Sequence, residues 1–339
     1  MSISLTGTFP SLHTVYEDET CATIDEDGTR EQIERVLEAP IGGILVGGHS
    51  GETELLTTEE RLLRVRIARE TVAGRVPVLA GIVADATWAA VEQAELYEEA
   101  GADAILVCPP ELVPWDPRTG GEYLLAHVQA IGEATGLPLV IFGADNPAVG
   151  GAYYNFAATY RRMAETVPTV AAMKVTTFFE LGAFRRTLLE VKKTCPHVRM
   201  LQAGSQNCLE AYLNGADGNI TNAVALYDLD AAEYHAFVRG DLTEAYGLAI
   251  RKRHVTDHEN GLPLSRSVMP FHYRAKVAAW LRGIIRRPDM RLPKQPISRE
   301  EVFEIAHGLE QAGLEVVRDP AACPLRVGLG RPRVAAGHR

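Results

Sequence analysis

Short apolar runs alternate along the chain with longer segments whose apolar residues recur at helical spacing. Gly43–Val46, Val78–Ile82, Ala104–Val107, Leu139–Phe142, Val170–Val175, Met200–Ala203 and Gly218–Ile220 are mostly apolar stretches of strand length. Strands covered on both faces read this way, because neither face meets water. Between them, Arg30–Leu37, Glu59–Thr71, Ala89–Ala100 and Tyr123–Thr135 have helical character. Thr57-Thr58-Glu59-Glu60 supplies a helix start, and Gly101 and Gly136 supply two helix stops.

With a strand near Ser4–Thr8, the pattern makes eight β-α units within residues 1–240. That is the length of a closed (β/α)8 TIM barrel. Strict alternation also predicts a parallel sheet, with an open doubly wound sheet as the alternative. After the barrel, a C-terminal helical region spans 241–314, with helices over Leu242–His254 and His272–Arg286. Ser298 and Glu301 there have capping-box spacing before a last helix ending near Gly313. The segment 315–339 is rich in Arg, Pro and Gly and lacks apolar periodicity, so a flexible tail is expected.

One position breaks the apolar run Val170-Ala171-Ala172-Met173-Lys174-Val175. A lysine in a buried strand is costly to keep charged. Desolvation lowers its pKa and frees the amine as a nucleophile for a carbonyl carbon. The plainer alternative is a strand-end lysine whose amine reaches solvent.

Bulk properties narrow the field. The 339 residues carry a formal net charge of −10, which disfavours nucleic acid and anionic lipid as partners. No apolar run is long enough to cross a bilayer, and the N-terminus lacks a basic start followed by an apolar block. Cys21, Cys108, Cys195, Cys208 and Cys323 are dispersed without CxxC spacing, which suggests reduced thiols in a cytoplasmic protein. No dinucleotide, phosphate-loop or metal motif is present, so neither a cofactor nor a metal is expected.

In a TIM barrel, chemistry belongs at the carboxyl ends of the strands. Five segments fall there: Gly47-Gly48-His49-Ser50-Gly51-Glu52, Cys108-Pro109-Pro110-Glu111, Phe142-Gly143-Ala144-Asp145-Asn146-Pro147, Lys174, and Gly204-Ser205-Gln206-Asn207. A glycine-rich turn can cradle a carboxylate with its amides, or it can be a plain tight turn. Facing a lysine, it suits a 2-oxo acid: the lysine takes the carbonyl and the turn takes the carboxylate.

The same blocks resemble the dihydrodipicolinate synthase and N-acetylneuraminate lyase family of class I Schiff-base aldolases. Gly43–Glu52 followed by Leu55–Arg61 is similar to the family's GTTGE…LTxxER block. Gly74–Gly81 resembles its GRVPVIAG strand, Gly101–Val107 its GADAxLV strand, and Arg291-Leu292-Pro293…Pro296-Ile297-Ser298…Glu301 its closing RxPLxPLSxEE. Order and spacing agree from about residue 7 to residue 314. The resemblance implies that Lys174 is the Schiff-base lysine. It also implies that the turn's amides, with Ser50, hold the pyruvate carboxylate, and that the protein is a homo-oligomer, dimer or tetramer.

Several positions depart from the family pattern. Phe142 stands at the family's catalytic tyrosine and has no proton to relay. His49 stands at the first threonine of GTTGE, and Pro110 and Glu111 at a tyrosine pair. The arginine after YNVP has no counterpart in Gly143–Gly151, and the aldehyde-binding positions are Gln206 and Asn207. His49 is the natural replacement relay, since imidazole titrates near neutrality, although it could simply fill the loop. Glu111 is a second candidate, ahead of Tyr153 and Tyr154, and the other histidines read as solvated or core residues.

The resulting expectation is a lyase, aldolase or dehydratase for pyruvate or another 2-oxo acid. Lys174 and His49 are its catalytic residues; Ser50, Gly51, Phe142, Gly204, Ser205 and Ile220 line the substrate. The alternative is a non-catalytic relative that binds a 2-oxo acid or serves as an assembly subunit.

Overall fold

A computed structural model describes residues 3–110, 120–144, 157–176, 181–221, 224–259 and 271–330. Glu111, Asp145, Asn146, Pro147, Tyr153 and Tyr154 lie outside these residues, as does the segment 331–339.

Nine short parallel strands build the barrel wall: β1 (Gly7–Phe9), β2 (Ser11–Leu12), β3 (Ile44–Gly47), β4 (Val78–Ile82), β5 (Ala104–Val107), β6 (Leu139–Ala144), β7 (Val170–Thr176), β8 (Arg199–Ala203) and β9 (Gly218–Ile220). Their order is β1-β9-β8-β7-β6-β5-β4-β3-β2. β1 and β2 are two halves of one position, separated by Pro10, which has no N–H for the ladder. β1 pairs with β9 and β2 with β3, so the sheet closes into a (β/α)8 barrel and the open-sheet alternative is excluded. The first strand lies a few residues later than the expected Ser4–Thr8, and continues past the proline.

Helices connect the strands: α1 (Glu26–Val36), α2 (Thr58–Val72), α3 (Thr87–Glu99), α4 (Gly120–Ala134), α5 (Ala157–Thr166), α6 (Leu181–Lys192), α7 (Cys208–Leu213) and α8 (Tyr227–Val238). The C-terminal region adds α9 (Leu242–Glu259), α10 (Phe271–Leu281), β10 (Met290–Arg291), α11 (Arg299–Gln311) and β11 (Val327–Gly328). The expected capping box of Ser298 with Glu301 forms on α11, and the helix start at Thr57 is a second one, Thr57 with Glu60 on α2.

Alternation along each strand sorts side chains into two cores. Phe9, Leu45, Leu79, Leu106, Val140, Phe142, Ala172, Leu201, Ala203 and Ile220 fill the barrel interior. A larger cluster, including Ile44, Ile105, Ile141, Met173, Val175 and Met200, packs between wall and helices. Lys174 sits between Met173 and Val175 and is therefore turned inward with Ala172.

Residues 315–330 differ from the expected flexible tail. Asp319 caps a 3-10 turn at Pro320–Ala322, Cys323 is buried, and β11 pairs with β10. The Val317 amide donates to Leu281 O and the Gly330 amide to Thr20 O, so this segment straps across the barrel end. Periodicity missed it because a strap held by backbone hydrogen bonds needs no amphipathic repeat. All five cysteines are buried, and none is joined in a disulfide. No helix among the described residues is long and apolar enough to cross a membrane.

Candidate active site

Lys174 stands at the inward carboxyl end of β7, in register with Phe142 on β6 and Leu201 on β8. Its Nζ lies 4.3 Å from the centroid of the Phe142 ring. Only 9% of the residue is exposed. Burial lowers its pKa from 10.5 to about 8, with the neighbouring Cys108 acting the other way. The aromatic face stabilises the ammonium form without hydrogen bonding to the amine, so nucleophilicity is retained once the proton leaves.

The turn after β3 is built for close backbone approach. Gly47 and Gly48 both have positive φ, at 94° and 82°, where a side chain would be strained. A Cβ on Gly81 of β4 would sit 2.6 Å from the Gly48 nitrogen, so glycine is required there as well. His49–Gly51 form a 3-10 turn. Its carbonyls are held from behind: His13 Nδ1 donates to Ser50 O at 3.0 Å, and Thr14 Oγ1 and Arg64 Nη1 donate to Gly51 O at 2.6 and 3.1 Å. Because a carbonyl only accepts, His13 carries its proton on Nδ1. Burial and the nearby Lys276 cation push His13 down to about 3, so it is neutral.

The Gly51 amide donates to Gly48 O at 3.1 Å and closes the turn. The Gly51 amide is therefore committed within the turn and is not open to the expected carboxylate. Glu52 ends the turn in the left-handed region and is fully buried. Its carboxylate takes Lys276 Nζ of α10 at 2.7 Å, the Arg291 amide of β10 at 3.0 Å and the Tyr16 hydroxyl at 3.3 Å. Arg291 also forks onto Glu60 at 2.5 and 2.6 Å. The C-terminal region thus clamps the turn in place.

The His49 ring faces Phe142 at 6.2 Å between centroids, which brings Lys174, Phe142 and His49 to one mouth. On its other side His49 meets His272, the second residue of α10, with centroids 6.3 Å apart and planes 16° apart. Burial lowers the His272 pKa well below its ordinary value, and Lys294, His49, His13 and Lys174 add to the effect. Sequence reading left His272 and His13 among the core or solvated histidines. The available signal for His272 was its i, i+4 spacing to Lys276, which puts both on one face of α10.

The turn after β8 differs from expectation. Gly204, at φ 100°, donates its amide to Ile220 O at 2.8 Å, and Ile220 is fully buried in the barrel interior. The Ser205 hydroxyl donates to Asp230 Oδ2 at 2.6 Å, and Asp230 in turn takes Lys252 Nζ at 2.7 Å. Ser205 therefore faces a small cavity lined by Gln206, Glu233, Lys252 and Thr256. Its hydroxyl belongs to a buried charge cluster joining β8 to α8 and α9. Tyr160 of α5 packs its hydroxyl against Gly143, on the outer side of β6 from Phe142. Among the described residues no group of three or more His, Cys, Asp or Glu side chains could hold a metal ion.

Comparison with known proteins places this geometry in context. The model of the dihydrodipicolinate synthetase family matches residues 4–312. A 4-hydroxy-tetrahydrodipicolinate synthase of Anaplasma marginale (strain Florida) is 28% identical over 312 residues, covering 92% of this chain and 96% of its own. The enzyme of that name from Maridesulfovibrio salexigens is 30% identical over 314 residues, covering 91% and 98%. Among solved structures, an E. coli K12 prophage protein of the dihydrodipicolinic acid synthase family, in complex with pyruvate, superposes with a TM-score of 0.81. It is 22% identical, with 92% of this chain and 99% of that chain covered. A monomeric dihydrodipicolinate synthase variant superposes with a TM-score of 0.80 at 20% identity, over 92% and 98% of the two chains.

Proposed function

The chain belongs to the dihydrodipicolinate synthetase family, and from that premise we propose that it is a Schiff-base-forming lyase or aldolase for pyruvate or another 2-oxo acid. The observation that carries this reading is the inward, buried Lys174 with its pKa lowered to about 8. Its free amine attacks the substrate's C2 carbonyl carbon, and loss of water gives a protonated imine. That imine draws electrons from C3, which supports carbon–carbon cleavage, condensation or dehydration. The Ser50 hydroxyl and the amides of His49 and Ser50 hold the carboxylate. His49, beside Phe142, moves the proton that a phenylalanine cannot.

The test is reductive trapping. Pyruvate with borohydride is expected to leave a reduced adduct on Lys174, located by peptide mass spectrometry. A wild-type protein that stays unmodified there overturns the proposal. A second reading, a barrel that binds a 2-oxo acid without turnover, is favoured by the lack of a titratable group on Phe142. In that case pyruvate is trapped, but its methyl hydrogens do not exchange in heavy water. The resemblance also supports a homo-oligomer, dimer or tetramer, for which sedimentation is the measurement.

A further inference from the structure

The mouth holds a titratable group that the family pattern does not assign. His272 comes from the C-terminal region rather than the barrel, yet its ring lies 6.3 Å from His49 and nearly parallel to it. At that separation one water or one hydroxyl can bridge ring nitrogens. The placement is anchored. One helical turn beyond His272, Lys276 is locked into the buried Glu52 carboxylate that ends the turn carrying His49. α10 and the His49 turn are thereby fixed relative to each other, and the two rings with them.

We propose that His272 is the relay partner of His49, so that a two-histidine pair carries protons between the Lys174 imine and solvent. The inference rests on the Schiff-base reading. When the imine loses a C3 proton, the C–H pair moves into the new C2–C3 double bond and the iminium nitrogen is neutralised. His49 gains the proton, and His272 accepts it on one nitrogen while releasing one to solvent from the other. In the reverse direction the pair delivers a proton to the substrate.

His272 suits this role because it is an amphoteric group held neutral. Burial disfavours its imidazolium form, and Lys294, His49, His13 and Lys174 act in the same direction. A neutral imidazole has one donor and one acceptor nitrogen and can pass a proton through by exchanging tautomers. His272 acts through His49, so it is a positioning and relay residue rather than one that touches substrate.

The experiment measures two quantities on the full chain: borohydride trapping of pyruvate on Lys174, and deuterium exchange at the pyruvate methyl group followed by NMR. His272→Gln is expected to trap as wild type does while exchange falls about 30- to 100-fold, with added imidazole restoring part of it. His49→Gln combined with His272→Gln should be no slower than the slower single variant, because both act on one path. Should His272→Gln melt early, His272→Ala serves, since alanine has the highest helix propensity. Exchange within about twofold of wild type in a trapping-competent His272 variant overturns the relay. So does parallel loss of trapping and exchange without imidazole rescue, which marks a structural role. Absence of trapping in the wild-type protein overturns the Schiff-base reading itself, and the relay with it.

Discussion

Lys174 shows how one residue can be poised by cost. Its pKa is depressed from 10.5 to about 8, so about a tenth of the amine is free at pH 7, against roughly one in three thousand for an ordinary lysine. Imine formation with pyruvate should rise about tenfold per pH unit below about 8 and level off above it, as read by trapping rate against pH. The same shift works against folding. Below about 8 the folded state must keep a buried ammonium; between about 8 and 10.5 only the unfolded state binds the proton, so stability rises with pH through that window. Lys174→Met should therefore stabilise the protein at pH 7 by about 3 kcal/mol, with the gain shrinking toward pH 10.5. Urea unfolding at the two pH values measures this. A Lys174→Met variant less stable than wild type at pH 7 would show that the amine is not held in an unfavourable site.

At the scale of elements, α10 and the turn after β3 form one mechanical unit through the Glu52–Lys276 pair, both residues fully buried. Removing one partner leaves the other charge without solvent, which costs about 3–5 kcal/mol. Lys276→Met is thus expected to lose about that much stability, and Glu52→Gln with Lys276→Met less than the sum of the two singles. Methyl exchange should fall along with stability, since the pair fixes the spacing of His49 and His272. The elements themselves were legible in the sequence. Continuous apolar runs located the strands and helical spacing the helices, while the helix start at Thr57 and the capping box at Ser298 lie where the sequence placed them. Lys174, Phe142 and His49 were also legible, because strand ends converge in a barrel. His272 was not, because no local pattern tells which face of a C-terminal helix closes over the mouth. Nor could sequence show that Ser205 turns its hydroxyl to Asp230, a partner 25 positions away.

For the whole molecule, the segment 315–330 reaches back to Thr20, near the start of the barrel. β11 pairs with β10, and β10 carries Arg291, whose amide and guanidinium hold Glu52 and Glu60. The strap over 315–330 is therefore part of the frame around the mouth, although composition marked it as a loose tail. Gly328 is where this frame is most vulnerable. A Cβ there would run into the Thr20 carbonyl, a backbone atom that cannot rotate away. Gly328→Val should lift β11 from the barrel end, costing about 1–3 kcal/mol as an overpacked site does. If the strap positions Arg291, the variant will also need more pyruvate for half-maximal trapping, while the Lys174 adduct still forms at saturation. Unfolding midpoints together with trapping titrations separate the two effects. A loss of stability with unchanged pyruvate dependence would confine the strap to folding, whereas a shift in both ties the C-terminal segment to the proposed carboxylate turn.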